Sequence, residues 1–350
     1  MKRLNITTAM LALALLCPTT ARAQTDGMSY YLPKTAIRLV LLVEKTSYTP
    51  GDFAAYAGRY LKQDADSEPS QTYRIVSTKI ESFGVPDTEK QYTARMDQKV
   101  TISSIDKDDS GILIGVNTTG IRAKEHVPFT PAPKPTALSP RDFMTQDILA
   151  AGSTAKMAEL TALEIFDIRE SRNLLNKGQA DFMPQDGEQL RMMLANLDTQ
   201  ERALTQLFYG ITVKDTTETE IIYIPEQETD RDIIYRFSEK LGIVDNDDLS
   251  GTPYYVSVED LGSIVGTVFT AEDTATDARD DSGVSVCMPG KIRLTLGRDS
   301  RPIANYELYA AQFGRTETLS TSLFNKRTTT SLRLSSVTGN AEHIETIVLK

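Results

Sequence analysis

Between Pro128 and Pro140 the chain carries five prolines, at 128, 131, 133, 135 and 140. Each fixes its own φ and removes a backbone donor, so neither a helix nor a sheet ladder can run through the stretch. An extended, semi-rigid connector is the expected conformation. Residues 128–142 are therefore read as a linker, and the rest of the chain is divided around it.

Upstream, residues 35–49 are rich in branched apolar side chains and read as a strand, which Pro50-Gly51-Asp52 stops. Asp52 is the expected N-cap of a short helix over Phe53–Leu61, in which Phe53, Tyr56, Ala57 and Tyr60 recur at helical spacing. Strands are predicted over Thr72–Phe83, Gln98–Ile105 and Ile112–Asn117, giving an N-terminal α+β domain over 24–127.

Downstream, residues 143–210 hold the strongly helical part. Two helices are predicted, Ala155–Lys177 and Asp186–Phe208, joined by a loop with Gly178 and Met183-Pro184. Ile165, Ile168 and Leu175 form one stripe, widened by Leu160, Leu163 and Phe166. Leu190, Met193, Leu197, Leu204 and Phe208 form the other. A short connection makes them an antiparallel hairpin, which Gly210 ends.

From Ile211 the period switches to two. Short predicted strands follow at Thr219–Ile224, Ile233–Phe237, Tyr254–Val258, Lys291–Leu296, Asn305–Gln312, Ser331–Leu334 and Ile344–Leu349, and the turn GRDSRP joins the fourth to the fifth. Residues 211–350 thus read as an antiparallel, sandwich-like β domain. The class is α+β and β-rich.

The first 23 residues have the layout of a secretory signal: Lys2 and Arg3, an apolar stretch from Ala9 to Cys17, then Pro18 and Ala21-Arg22-Ala23. Cleavage is expected between Ala23 and Gln24. Lipidation at Cys17 is disfavoured, because Leu16 and Ala14 stand where a lipidation site has a small and an aliphatic residue. No other stretch approaches membrane-spanning length. Removing Lys2, Arg3 and Arg22 takes the formal charge from −10 to −13. Such a chain repels phosphate backbones, so nucleic acid is not an expected partner. Cys287 is then the only cysteine, which excludes an internal disulfide and leaves stability to the core.

Four segments carry a resemblance: YYLPKT (Tyr30–Thr35), GDFAAYAGRYL (Gly51–Leu61), EIFDIRESR (Glu164–Arg172) and LDTQERALTQLFYG (Leu197–Gly210). In this order they resemble an uncharacterised family of exported Bacteroidota proteins, domain of unknown function 4831. The resemblance implies a Gram-negative envelope protein. It brings no activity and no functional residue.

Glu201 interrupts the apolar stripe of the second helix between Leu197 and Leu204, where a charge is costly. Folding the hairpin about residue 182 places it near Lys156, Glu159 and Glu164. A Glu164–Glu201 pair sharing a proton would serve as acid and base in glycoside hydrolysis. An ion pair of Glu201 with Lys156 is the plainer explanation. Asp106, Asp108 and Ser110 match the first half of a calcium loop, yet Asn117 replaces the expected glutamate, and ordinary turn chemistry accounts for the same residues. His126 and His343 are the only histidines, so zinc held by several histidines or cysteines is excluded by count. Cys287 reads as a buried thiol. No P-loop, G-x-S-x-G or G-x-G-x-x-G occurs, and no cofactor is expected.

These features favour a soluble periplasmic protein without enzymatic activity, a binding, scaffolding or assembly module whose partner is an envelope protein or glycan. The alternative is a periplasmic hydrolase of glycan or peptidoglycan that uses Glu164 and Glu201.

Overall fold

The structure, a computed structural model, describes residues 27–95, 102–134, 137–184, 186–270, 274, 283–299, 301–325 and 327–348. The expected signal, with its cleavage site at Ala23 and Gln24, lies outside these residues, as does part of the strand expected over Gln98–Ile105.

The branched apolar run forms the centre of the molecule. Strand β1 (Gly27–Thr49) pairs antiparallel with β2 (Ser70–Arg95) on one side. On its other side lies β5 (Ile211–Tyr223). Sheet order is β2-β1-β5. Alternation sends Ile37, Leu39, Leu41 and Val43 to one face. There they pack on Tyr235, Phe237, Tyr254, Val256, Ile292 and Leu296 of a second sheet. That sheet is built from β6 (Thr229–Ser238), β7 (Gly242–Val244), β8 (Thr252–Ile264), β9 (Val284–Arg298) and β10 (Arg301–Leu319), in the order β10-β9-β8-β6-β7. The two sheets bury a common core face to face, as in a sandwich.

A register shift between Tyr31 and Pro33 changes which alternate residues of β1 point inward. Tyr30 and Leu32 consequently enter a different core with Leu113, Val286, Met288, Leu332 and Leu334. The third sheet, which supplies part of that core, contains β3 (Ile105–Lys107), β4 (Leu113–Val116), β11 (Thr328–Leu334) and β12 (Ala341–Val348), in the order β12-β11-β4-β3.

The Pro-rich segment does not separate two independent units, contrary to the domain division expected from sequence. β5 completes the sheet of β1 and β2, and β11 pairs with β4. Period-two patterning fixes the face of a strand but not its partner. The strand over Thr72–Phe83 also extends well beyond its expected ends.

Helices α3 (Thr154–Lys177) and α4 (Gly187–Tyr209) form the expected hairpin, with a short helix α2 (Gln146–Leu149) before them. Ser153 caps α3 through its hydroxyl and Asp186 caps α4 through its carboxylate; Gly178 ends α3 with φ 68°. The buried stripe of α3 is narrower and smaller than expected: Ala158, Ala162, Ile165 and Ile168 face Leu204, Leu207 and Phe208. Leu163 and Phe166 are instead exposed, because the small alanines let the helices meet on the neighbouring face. At the Gly51 turn a 3-10 turn, Ala54–Tyr56, leads into α1 (Ala57–Leu61). Asp52 is not its cap. Phe53 precedes the turn and gives its N–H to the Leu207 carbonyl at 2.6 Å, docking the segment on the hairpin. No helix among the described residues is long and apolar enough to cross a membrane.

Candidate functional site: a strapped sheet face

While odd residues of β1 enter the core, Arg38, Val40 and Leu42 point to the opposite face. Register places Arg38 between Glu81 and Ile222, Val40 between Lys79 and Glu220, and Leu42 between Ser77 and Glu218. The middle strand thus presents Arg38, Val40 and Leu42 between the charged Lys79 and Glu81 of β2 and Glu218 and Glu220 of β5. Arg38 stacks its guanidinium 4.6 Å from the Phe83 ring centroid.

Across this face runs an extended strap, the segment entering the Pro-rich stretch. Together, strap and sheet enclose a cleft of about 700 Å³, lined among others by Arg38, Leu42, Ser77, Lys79, Phe83 and Phe129. The strap's anchor is His126, whose side chain is only 11% exposed. Nδ1 lies 3.1 Å from Glu81 Oε2 on β2, while Nε2 lies 2.7 Å from Glu218 Oε1 and 3.5 Å from Glu220 Oε1 on β5. The Phe129 N–H donates to Glu218 Oε2 at 2.9 Å. Arg38 Nε lies 3.0 Å from Glu220 Oε2. Further along, Lys134 pairs with Asp215 at 3.1 Å, so the strap follows β5.

These contacts set the protonation of the anchor. The hydrogen bond to Glu218, then that to Glu81, raises the imidazole pKa above its ordinary value against the opposing effect of desolvation. Glu218 is held below its ordinary value, chiefly by the same bond to His126 and further by the Phe129 N–H.

The carboxylate pair anticipated on the hairpin is placed differently. Glu201 Oε1 lies 2.6 Å from Arg169 Nε, and its Oε2 lies 2.6 Å from Arg172 Nη1. Lys156 pairs with Glu159 at 3.0 Å instead. The residues of α3 that meet Glu201, Arg169 and Arg172, lie five and eight positions beyond Glu164. Glu164 is half-buried on α3.

The acidic turn also has a local explanation. Asp108 Oδ1 accepts bonds from the Ser110 N–H, the Ser110 hydroxyl and the Ile112 N–H. Asp106 accepts the Gly120 N–H and pairs with Arg122. These are turn-forming bonds, and they engage Asp106 and Asp108 with different partners. Cys287 is a buried free thiol.

Sequence reasoning missed Arg38, Glu81, His126, Glu218 and Glu220. One signal was available: Glu218-Thr219-Glu220 within a strand puts two carboxylates on the same face. The search for histidine pairs passed over a lone histidine facing them.

Fold and site together define a β-rich α+β chain in which a histidine-anchored strap covers the face of a three-stranded sheet. The chain belongs to the family described as Domain of unknown function (DUF4831), which matches residues 26–342. No curated protein and no solved structure matches it.

Proposed function

We propose that the chain is a non-enzymatic binding or assembly module of the Gram-negative cell envelope, exported through its N-terminal signal to the periplasm. On this reading the face of β2, β1 and β5 receives an extended segment of an envelope partner. The supporting observation is that this face already holds one segment in cis, anchored to side chains of the two outer strands, β2 and β5. The adjoining cleft offers the apolar Leu42 and Phe83 beside Arg38 and Lys79, a combination suited to an extended peptide with alternating side chains.

A photo-reactive residue in place of Ser77, which lines the cleft, is expected to trap one discrete envelope partner in cells. The same residue in place of the exposed Lys240 should not. Absence of a Ser77 adduct at native expression overturns the binding reading. Export is tested by fractionation: protein retained in the cytoplasm with an intact N-terminus overturns that part.

The hydrolase alternative loses support from the position of Glu201. Both of its oxygens are engaged by arginines, which is the arrangement of a structural ion pair.

A further inference from the structure

We propose that His126, Glu218 and Glu220 form a binding site for one divalent transition-metal ion of the zinc class, which staples the strap to β5. Their ligand atoms lie within 4.8 Å of one another. The inference stands on ligand geometry and does not depend on what the cleft receives.

Each of the three groups has one atom fixed from outside and the other turned inward. His126 Nδ1 is held by Glu81, Glu218 Oε2 by the Phe129 N–H, and Glu220 Oε2 by Arg38. What remains is Nε2 facing Glu218 Oε1 and Glu220 Oε1. A ligating histidine ordinarily donates its other ring N–H to a carboxylate in this way, which fixes tautomer and ring orientation.

When Nδ1 carries the ring proton and gives it to Glu81, Nε2 offers its lone pair toward the carboxylate oxygen 2.7 Å away, and a proton or a metal ion between the two acceptors completes the contact. Four carboxylates, Glu81, Glu125, Glu218 and Glu220, stand here against Arg38, Lys79 and Lys124.

Imidazole nitrogen among the donors favours zinc and its first-row neighbours over calcium or magnesium. A tetrahedral ion with bonds of about 2.0–2.2 Å holds its ligand atoms roughly 3.3 Å apart. The 3.5 Å separation to Glu220 Oε1 already suits it. The 2.7 Å separation to Glu218 must open by about half an ångström, a displacement available to a strap held by side chains. Three protein ligands leave a fourth position open.

The test uses the full chain without a histidine tag, stripped of metal by chelator and titrated with Zn²⁺ by calorimetry, with Co²⁺ absorption as a second readout. One equivalent should bind. His126→Ala and Glu218→Gln should each lose stoichiometric binding and the Co²⁺ bands. Glu81→Gln should weaken affinity about 10- to 100-fold, as loss of an orienting carboxylate does. His343→Ala should bind normally, and circular dichroism reports whether each variant is folded. If a variant does not fold, Glu220→Gln provides the same comparison. Failure of the folded wild-type chain to bind one equivalent overturns the proposal, and a proton then bridges the anchor. Binding unchanged by the ligand substitutions overturns it equally. Zinc uptake without a Ser77 adduct would retain the site and reject the partner-binding reading; an adduct without uptake would do the reverse.

Discussion

Arg169 Nε lies 2.6 Å from Glu201 Oε1 across the two helices of the hairpin, and Arg172 meets the other carboxylate oxygen at the same distance. Arg172 also contacts Asp198, one turn earlier on α4, so four charges form a ladder between the antiparallel helices. Glu201 is 14% exposed and its partners 40% and 33%, which places the cluster between a surface pair and a buried one. Glu201→Ala is therefore expected to cost about 1–2 kcal/mol, with a measurable Arg172–Glu201 coupling in a double-mutant cycle. Urea unfolding reads both quantities. Additive single substitutions would mean that the ladder contributes nothing.

The Gly51 turn makes a second, independent demand. A Cβ at this position would run into the backbone carbonyls of Gln206 and Leu207 at the end of α4. The adjacent Phe53 N–H already bonds to Leu207, so backbone approaches backbone with no side chain able to yield. Gly51→Ala should destabilise the chain by about 1–3 kcal/mol, the usual cost of overpacking. Amide exchange should locate the loss in α1 and the C-terminal turn of α4. An unchanged exchange pattern there would contradict the docking described.

Much of this architecture was legible because local physics determines it. The run Ile37–Val43 could only be a buried strand, and the two apolar stripes at helical spacing specify a hairpin whose first helix ends at Gly178. Pairing was not legible. Nothing in residues 35–49 names Ile211–Tyr223 as the neighbouring strand, since alternation specifies a face and leaves the partner to tertiary packing. The candidate site fails for the same reason: His126 and Glu218 are 92 residues apart, and local spacing motifs do not reach that far. The Pro-rich stretch shows no helix or strand up to residue 134, but Pro140 opens a 3-10 helix, Pro140–Phe143, inside the expected linker, since proline is well suited to a first helical position. That the chain leading into this stretch lies on a sheet and carries the anchor follows only from β5 being there.

Cys287 gives a prediction about reactivity. Its thiol, on β9, is buried and donates to the Ala311 carbonyl of β10 at 3.4 Å. Burial pushes its pKa up to about 11, so almost no thiolate is present at neutral pH. Iodoacetamide should leave the folded chain unmodified at this position and label it fully in denaturant. Mass spectrometry of the Cys287 peptide decides; rapid labelling without denaturant would mean that this part of the sandwich opens.

The last prediction concerns pH and the outer surface of the second sheet. Glu307 on β10 pairs with Lys291 at 2.6 Å and with Arg293 at 3.2 Å, and Arg293 reaches Glu259 on β8 at 2.9 Å. Hydrogen bonds from Lys291, then Arg293, hold the Glu307 carboxyl below its ordinary value. Glu307 in turn raises Lys291 above its own. A depressed carboxylate contributes stability above its unfolded pKa and loses it as pH falls through the lower folded value. A raised lysine contributes below its unfolded pKa and loses it as pH rises through the higher folded one. The row therefore acts across the whole neutral range and is removed at either extreme. Glu307→Gln should lower the melting temperature modestly at neutral pH, as suits exposed pairs. The gap to wild type should close in strong acid, where Glu307 is protonated in both states. A gap that persists there would assign the effect of the substitution to packing rather than to charge.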